Sequence, residues 1–396
     1  MVNLMRKGWQ KFSCLLLGSV LLYGCSSEED VIKMAEVPVI ESAFHPETAW
    51  SHGIGSGIGK FYSHLQPVIV GDNIFAASRD GQVYAFDKLS GKTLWNIDLS
   101  DQPFYEEKRS VRLSGGLAAA DGRIYLGSEN GQMLALKQES GELVWHTDVG
   151  GEVLATPATD SGKVVITTGV GQLLALDGET GKIDWTVTSE QPNLTLRGTA
   201  APVIAAGGVL YGRADGKIGI VLLQNGQLVN ESRVATPHGQ TDLDRMVDVD
   251  AEPVIVDDEL YAVAYNGQLI SRKLISGDEL WKRKYASYQN MGIGVNDIAI
   301  TDSKSHIYLI DRSTGTEKWS NTQLEYRNVT APLVLGDYVV VGDSEGYLYW
   351  ISQTTGKIAA MQEVDSDGLY ATPIIDGDLI YIQTRGGELV AIKRPS

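Results

Sequence analysis

The sequence predicts an all-β fold: one β-propeller of eight four-stranded antiparallel blades, the last blade completed by a strand from the start of the chain. Three observations lead there. A strand–turn–strand phrase recurs along the body, a glycine-to-tryptophan ending repeats in step with it, and an orphan strand near the start matches a strand missing at the end. A length of 396 residues would suit two or three ordinary domains, but a repeat overrides that prior. The 44 glycines recur at regular intervals, which points to turns rather than disorder.

The elements follow in order. Arg6, Lys7 and Lys11 form a basic start and Phe12 to Leu22 a short apolar run, too short to span a bilayer, so residues 1–24 read as a cleaved signal peptide. Leu22-Tyr23-Gly24-Cys25 resembles the lipobox of bacterial lipoproteins, which implies cleavage before Cys25 and acylation of its thiol. Ser26 and Ser27 follow, and the lack of Asp there implies, by the sorting rule of enteric bacteria, the outer membrane facing the periplasm. Residues 25–40 then read as a lipidated tether, and several acyl chains on one cysteine supply stable anchoring. No later segment approaches a transmembrane span.

Residues 41–396 carry the propeller. In the first full repeat, Pro67–Val70 meets a turn at Gly71-Asp72, Ile74–Ser78 a turn at Asp80-Gly81, Gln82–Asp87 a turn ending at Gly91, and a fourth strand holds Trp95. Asx-Gly pairs suit tight hairpins, and short apolar runs suit strands buried on one or both faces. The ending recurs as Gly91/Trp95, Gly141/Trp145, Gly181/Trp185, Gly277/Trp281 and Gly315/Trp319, with degenerate copies at Gly226/Asn230 and Gly356/Ala360. An eighth unit begins at Ala371-Thr372-Pro373 and stops without a fourth strand, which Glu47-Thr48-Ala49-Trp50 can supply. Such a loan closes the ring and removes two bare sheet edges. The strand phase of the sixth unit, about Ile293 to Trp319, stays undefined because Pro and Asx-Gly are missing. Gly53 to Gly59 reads as a flexible connection into the first blade, and Asp343-Ser344-Glu345-Gly346 as a plain hairpin turn. The tryptophans read as packing between blades, with Asp87, Asp177 and Asp311 shaping the turns.

Charge and composition restrict function. Removing residues 1–24 takes 33 Lys and Arg down to 30 against 50 Asp and Glu, a net charge of −20 that argues against nucleic acid and against direct adhesion to anionic lipid. The two cysteines are Cys14 and Cys25, so the body has no disulfide and rests on its core alone. The six histidines (His45, His52, His64, His146, His238, His306) show no metal-ligand spacing, and Gly53 to Gly59 lacks the Lys-Ser/Thr of a phosphate loop.

The phrase Ala-x-Asp-x-x-(Ser/Thr)-Gly-x-x-x-Trp, at Ala85–Trp95 and Ala175–Trp185, is similar to the repeat of pyrroloquinoline-quinone (PQQ) dehydrogenases. With the lipobox, Leu194-Thr195-Leu196-Arg197-Gly198, Asp248-Val249-Asp250 and Val341-Gly342-Asp343-Ser344-Glu345-Gly346-Tyr347, residues 40–396 resemble the BamB family, periplasmic propellers of the outer-membrane β-barrel assembly machinery. The resemblance implies a non-enzymatic scaffold that docks to the POTRA region of a BamA-like barrel protein and guides unfolded barrel precursors, with no cofactor and no metal. Its binding residues, carried over by motif, are Leu194, Leu196, Arg197, Asp248 and Asp250.

Spacing groups those residues independently. Arg197 and Asp248 each lie five residues before a proline, Pro202 and Pro253, at equivalent strand positions, so both stretches enter from one rim, one blade apart. The connection before Asp248 is also long, and long loops on a rigid scaffold are where binding usually resides. In the competing structural reading, Leu194 and Leu196 plug a gap between blades and Arg197 pairs with Asp248 to hold them together. Two other functions stay open: a small PQQ-dependent dehydrogenase-like enzyme, and a propeller whose central channel binds cell-wall glycan or another envelope complex. The glycan reading predicts polar and aromatic residues crowding one channel mouth.

Overall fold

The computed structural model describes residues 32–102 and 111–395. The signal peptide and the acylated Cys25 lie outside the described residues. Within Met34–Ser396 the strands form eight four-stranded antiparallel sheets, each in chain order except the last. Blade 1 runs from Val68–Val70 to Thr93–Asp98, blade 2 from Leu113–Ala120 to Leu143–Asp148, and blade 3 from Ala158–Asp160 to Ile183–Thr188. Blade 4 spans Val203–Ala205 to Leu228–Arg233, blade 5 Val254–Val256 to Glu279–Arg283, blade 6 Gly292–Ile293 to Glu317–Asn321, and blade 7 Leu333–Leu335 to Ile358–Glu363. Blade 8 takes three strands from Ile374 to Lys393 and its outer strand from Thr48–Gly53, paired antiparallel to Glu388–Lys393. The loaned strand therefore closes the ring as the sequence implies. Among the described residues no helix is long and apolar enough to cross a membrane.

Sequence pattern explains which strands carry the core. The second and third strands of each blade are near-continuous apolar runs, such as Asn73–Ala77 and Gln172–Asp177, and are buried on both faces between neighbouring sheets. Outer strands alternate and stay largely exposed, as Leu228–Arg233 does. Each core is thus shared: Phe75, Ala85 and Trp95 of blade 1 pack with Ile124, Leu126, Leu134 and Leu136 of blade 2.

The outer-strand tryptophan makes the seam. Each indole N–H donates to a main-chain carbonyl in the next blade's turn: Trp50 to Lys88, Trp95 to Gln138, Trp145 to Gly178, Trp185 to Leu223, Trp281 to Arg312 and Trp319 to Gln353, at 2.7–3.1 Å. The indole ring lies flush on that turn's glycine (Gly91, Gly141, Gly181, Gly226, Gly315 and Gly356 respectively), leaving no room for a Cβ. The turn is shaped by its aspartate: Asp87 Oδ1 accepts from both the N–H and the hydroxyl of Ser90, and these bonds hold its carboxyl below the usual range.

Two seams lack the outer-strand indole. At the seam between blades 7 and 8, Ala360 takes its place and Trp350 stands on the neighbouring third strand, in register with Ala360. An extended N-terminal segment covers that seam: Ala43 N–H donates to Ala359 O at 2.7 Å, and Phe44 packs on Tyr338 and Trp350 with ring centroids 5.3 and 5.9 Å apart. The same segment is pinned further back by the fully buried Arg327, which donates to Ala35 O at 2.8 Å while pairing with Asp343 at 2.7 Å. At the seam between blades 4 and 5, Asn230 stands where the indole would be, and a Cβ on Gly277 would meet nothing within 4 Å.

Two local expectations are revised or resolved. Gly53 to Gly59 is a packed segment rather than a flexible one: Ile54 and Ile58 are buried, and their N–H groups donate to Gly387 O and Arg385 O. Blade 6 gains definite strands at Gly292–Ile293, Asp297–Thr301, Ile307–Asp311 and Glu317–Asn321. Asp343-Ser344-Glu345-Gly346 is a hairpin turn between Tyr338–Gly342 and Tyr347–Ser352, with the Asp343 carboxylate engaged by Arg327 and by the hydroxyl of Tyr349.

The seams set a paired expectation. Gly181→Ala meets Trp145 at 2.5 Å from a backbone at φ +72, so unfavourable φ and overpacking add to about 2–4 kcal/mol of lost stability. Gly277→Ala has the same backbone (φ +76) but open space, and loses only about 1 kcal/mol. Urea unfolding of the two variants checks the difference, and equal losses would remove the packing role given to the indole.

Candidate functional site

The five residues singled out by motif lie on two successive outer-to-inner connections, which flank blade 4 on one rim. Asp248-Val249-Asp250 bridges blades 4 and 5: Val249 N–H donates to Arg213 O at 3.1 Å, and Asp248 O accepts from Tyr265 N–H at 2.8 Å. The Asp248 side chain is 1% exposed and its Oδ1 accepts the N–H of Leu196 at 3.0 Å, joining the two connections directly. That bond sets the Leu194–Arg197 backbone. Leu196 is half-buried behind it, whereas Leu194 is 43% exposed. Gly198 has a packing reason: a Cβ there would come within 2.9 Å of Asp250 Oδ2 and 2.8 Å of the Tyr62 hydroxyl.

Arg197 does not pair with Asp248. Its guanidinium reaches back toward blade 2, to Glu129 at 3.2 Å and Glu152 at 3.4 Å. Asp248 is enclosed and committed to a main-chain donor, so the exposed arginine finds the acids of the rim instead. Glu129 is also gripped by both ends of the Arg79 fork, at 2.9 and 3.0 Å, and Arg79 lies 3.8 Å over the Phe61 ring. A chain Arg79–Glu129–Arg197–Glu152 therefore crosses the rim of blades 1 to 4. With its side chain 47% exposed, Arg197 contributes little stability through these pairs and keeps a face of its guanidinium free for solvent or a partner.

Sequence reasoning missed Arg79, Glu129, Glu152 and the exposed Leu243 on the connection before Asp248. A signal existed: Arg79-Asp80-Gly81 and Glu129-Asn130-Gly131 place opposite charges at the same turn position of successive blades.

Behind the rim lies a central cavity of about 760 Å³, lined among others by Tyr62, His64, Asp250, Glu252, Tyr288 and Tyr370. Burial pushes the Asp250 carboxyl up to about 7, with the Asp248 charge adding to it, and burial alone pushes Glu252 up to about 7. Asp248 is raised to about 6 by burial, opposed by the Leu196 N–H and its own main chain. Burial likewise lowers His64 to about 4, keeping it neutral beside the hydroxyl of Tyr62, to which it is hydrogen-bonded. A smaller cavity of about 40 Å³ touches both Asp248 and Asp250, room for a water against Asp248 Oδ2, which has no protein partner. Among the described residues no group of three or more His, Cys, Asp or Glu is placed to hold a metal.

Comparison with known proteins matches this architecture. A family profile described as outer membrane protein assembly factor BamB covers residues 42–112 and 79–321. The chain is 48% identical over 385 residues to outer membrane protein assembly factor BamB of Aliivibrio fischeri, covering 97% of this chain and 98% of that one. It is 39% identical over 382 residues to the same factor of Escherichia coli, covering 96% and 97%. Among solved structures, BamB from Moraxella catarrhalis superposes with a TM-score of 0.79 at 24% identity, over 88% of this chain and 99% of that one. A quinohemoprotein alcohol dehydrogenase from Comamonas testosteroni superposes with a TM-score of 0.70 at 14% identity, over 89% and 78%, a likeness of fold alone.

The raised carboxyls set a pH dependence. A carboxyl that holds its proton more tightly folded than unfolded favours folding below the ordinary carboxylate range and loses that contribution as pH climbs through about 7. Asp250→Asn should therefore raise Tm by roughly 3 °C or more at pH 8 and leave it unchanged at pH 4, as read by thermal melts at both pH values.

Proposed function

The chain belongs to the BamB family of outer membrane protein assembly factors, and from that premise we propose that it is a non-enzymatic scaffold whose blade 3–5 rim docks the POTRA region of a BamA-like barrel protein. The observation that carries this reading is the division of labour on the rim. Asp248 is buried and fixes the Leu196 backbone, while Leu194 and Arg197 stand exposed on the loop so fixed. An exposed apolar residue beside a guanidinium, held on a rigid frame, is what a protein partner's hot spot requires. Leu194 and Arg197 make the contact. Leu196, Asp248 and Asp250 position them, Asp250 from behind Gly198. Leu243, 62% exposed on the neighbouring connection, extends the apolar face.

In the same proposal residues 1–24 are removed, Cys25 carries the acyl anchor, residues 25–40 form the tether and 41–396 the propeller, on the periplasmic face of the outer membrane. A main-chain bond of Ala35 to Glu325 holds the end of that tether against the connection between blades 6 and 7, and Ala43, just beyond it, bonds to Ala359 of blade 7. The membrane is met only through the anchor.

The central cavity supports a second reading, a glycan or other polar envelope ligand, because Tyr62, Tyr288 and Tyr370 share its wall with Gln289 and Asn290. A soluble muropeptide that raises Tm in a concentration-dependent way would support it, and a flat titration would remove it.

Pull-down from detergent-solubilised envelopes tests the scaffold. Leu194→Asp and Arg197→Glu should each weaken capture of one stoichiometric barrel protein by ~10-fold or more with Tm nearly unchanged. Asp248→Asn should weaken it less, through a loosened loop. Undiminished capture by both surface variants would move the interface elsewhere, and a Tm that fell together with capture would make Arg197 a link between blades.

A further inference from the structure

We propose that the seam between blades 4 and 5 is a docking site for an extended polypeptide that presents an aromatic side chain, distinct from the blade 3–5 rim. Six seams show what such a groove holds: an indole lying on a turn glycine, its N–H on the carbonyl that follows the third strand. The blade 4–5 seam has the turn without the indole. Asn230 occupies the tryptophan position, is exposed, and turns its amide oxygen to the N–H of Glu231 at 2.8 Å. Gly277 is exposed where Gly91, Gly141, Gly181, Gly226, Gly315 and Gly356 are buried, and the space over it is empty to 4 Å.

The surroundings are apolar. Ile275, two residues before Gly277, is 93% exposed, and Val229, beside Asn230 on the outer strand, is 59% exposed. Ile220 and Leu274 lie half-buried against the shared core of these blades. The Leu274 carbonyl follows Lys273, the last residue of its third strand, as the indole-accepting carbonyls follow theirs. The seam is held by other means, including a bond from Arg272 to the Ser232 hydroxyl at 2.8 Å, so it stays closed as a joint while its outer notch is empty.

The seam between blades 7 and 8 shows the occupant's form. It too lacks the outer-strand indole, and an extended stretch of this chain covers it, with a main-chain bond from Ala43 to the outer strand and Phe44 packed on two rings. Blade 4–5 is the other seam without that indole, and among the described residues no such segment covers it. A chain arriving from another protein would bind in the same way, by an aromatic anchor with neighbouring main-chain bonds. Strands of β-barrel membrane proteins, apolar at alternate residues and aromatic at their girdles, have this chemistry before they fold. Naming them as the occupant rests on the family reading, whereas the notch itself does not.

The probe is a fluorescein-labelled octapeptide alternating threonine with apolar residues around one central tryptophan, titrated into the purified full chain and read by anisotropy. It should bind at least ~10-fold tighter than the same peptide with serine in place of tryptophan. Asn230→Trp, which refills the notch from within, and Ile275→Asp, a change at an exposed position, should each weaken it at least ~10-fold, while Arg197→Glu leaves it unchanged. Because no barrel partner is present, a failed rim leaves this result intact. Absence of binding, equal binding of the two peptides, or binding undiminished by Ile275→Asp would overturn the site, and Ile275→Asp decides it even where Asn230→Trp does not fold.

Discussion

An indole on the outer strand of a blade cannot be buried by that blade. Its ring finds cover only on the glycine turn of the next sheet, and its N–H finds an acceptor only there. Every blade that carries one therefore needs a neighbour, and the last neighbour of a linear array would always be missing. Closing the ring meets this requirement for all blades at once, and Trp50, carried by the loaned strand, is itself one of the indoles that depend on it. The shared cores, the small residue facing each indole and the minimal turn lengths all follow from packing sheets face to face around a circle.

Such a frame leaves the rim connections free to vary without loss of stability, and the charges there are arranged accordingly. Acids and arginines alternate from Arg79 through Glu129 and Arg197 to Glu152: the first two are largely buried, while Arg197 and Glu152 are exposed enough that exchange with a partner's charges is cheap. One layer down, Asp248 is buried against main chain and Asp250 stands half-buried in the cavity wall behind Gly198. The first layer can contact a partner, and the second determines where the first layer stands.

Most of the fold was legible because its determinants are local. Asx-Gly turns and the Gly-to-Trp interval fix strand phase within a few residues, and the count of endings fixes the blades. Blade 6 resisted because its hairpin uses Ser305 at φ +69, stabilised by Asp302 accepting the N–H groups of Lys304 and His306, in place of a glycine pair. At the site, the meeting of Leu196 with Asp248 follows from repeat phase, and that phase could be read. The partners of Arg197 could not, since Glu129 and Glu152 are 68 and 45 residues away and their approach depends on how three blades stack. The packing of Gly53 to Gly59 was hidden for a related reason: its contacts, Arg385 and Gly387, come from the opposite end of the chain.

That meeting of the two ends orders events in time. Polypeptides are made, and exported, from the N-terminus, so Thr48–Gly53 is among the first strands to appear and can pair only with Glu388–Lys393, among the last. The bond from Lys393 to Glu47 spans 346 residues, nearly the whole chain. Until it forms, the first strand is an unsatisfied edge. A chain cut short anywhere before residue 388 can never pair that strand, so it keeps a bare edge open to other chains. The finished ring hides the edge, and closure thereby acts as a length check on the molecule.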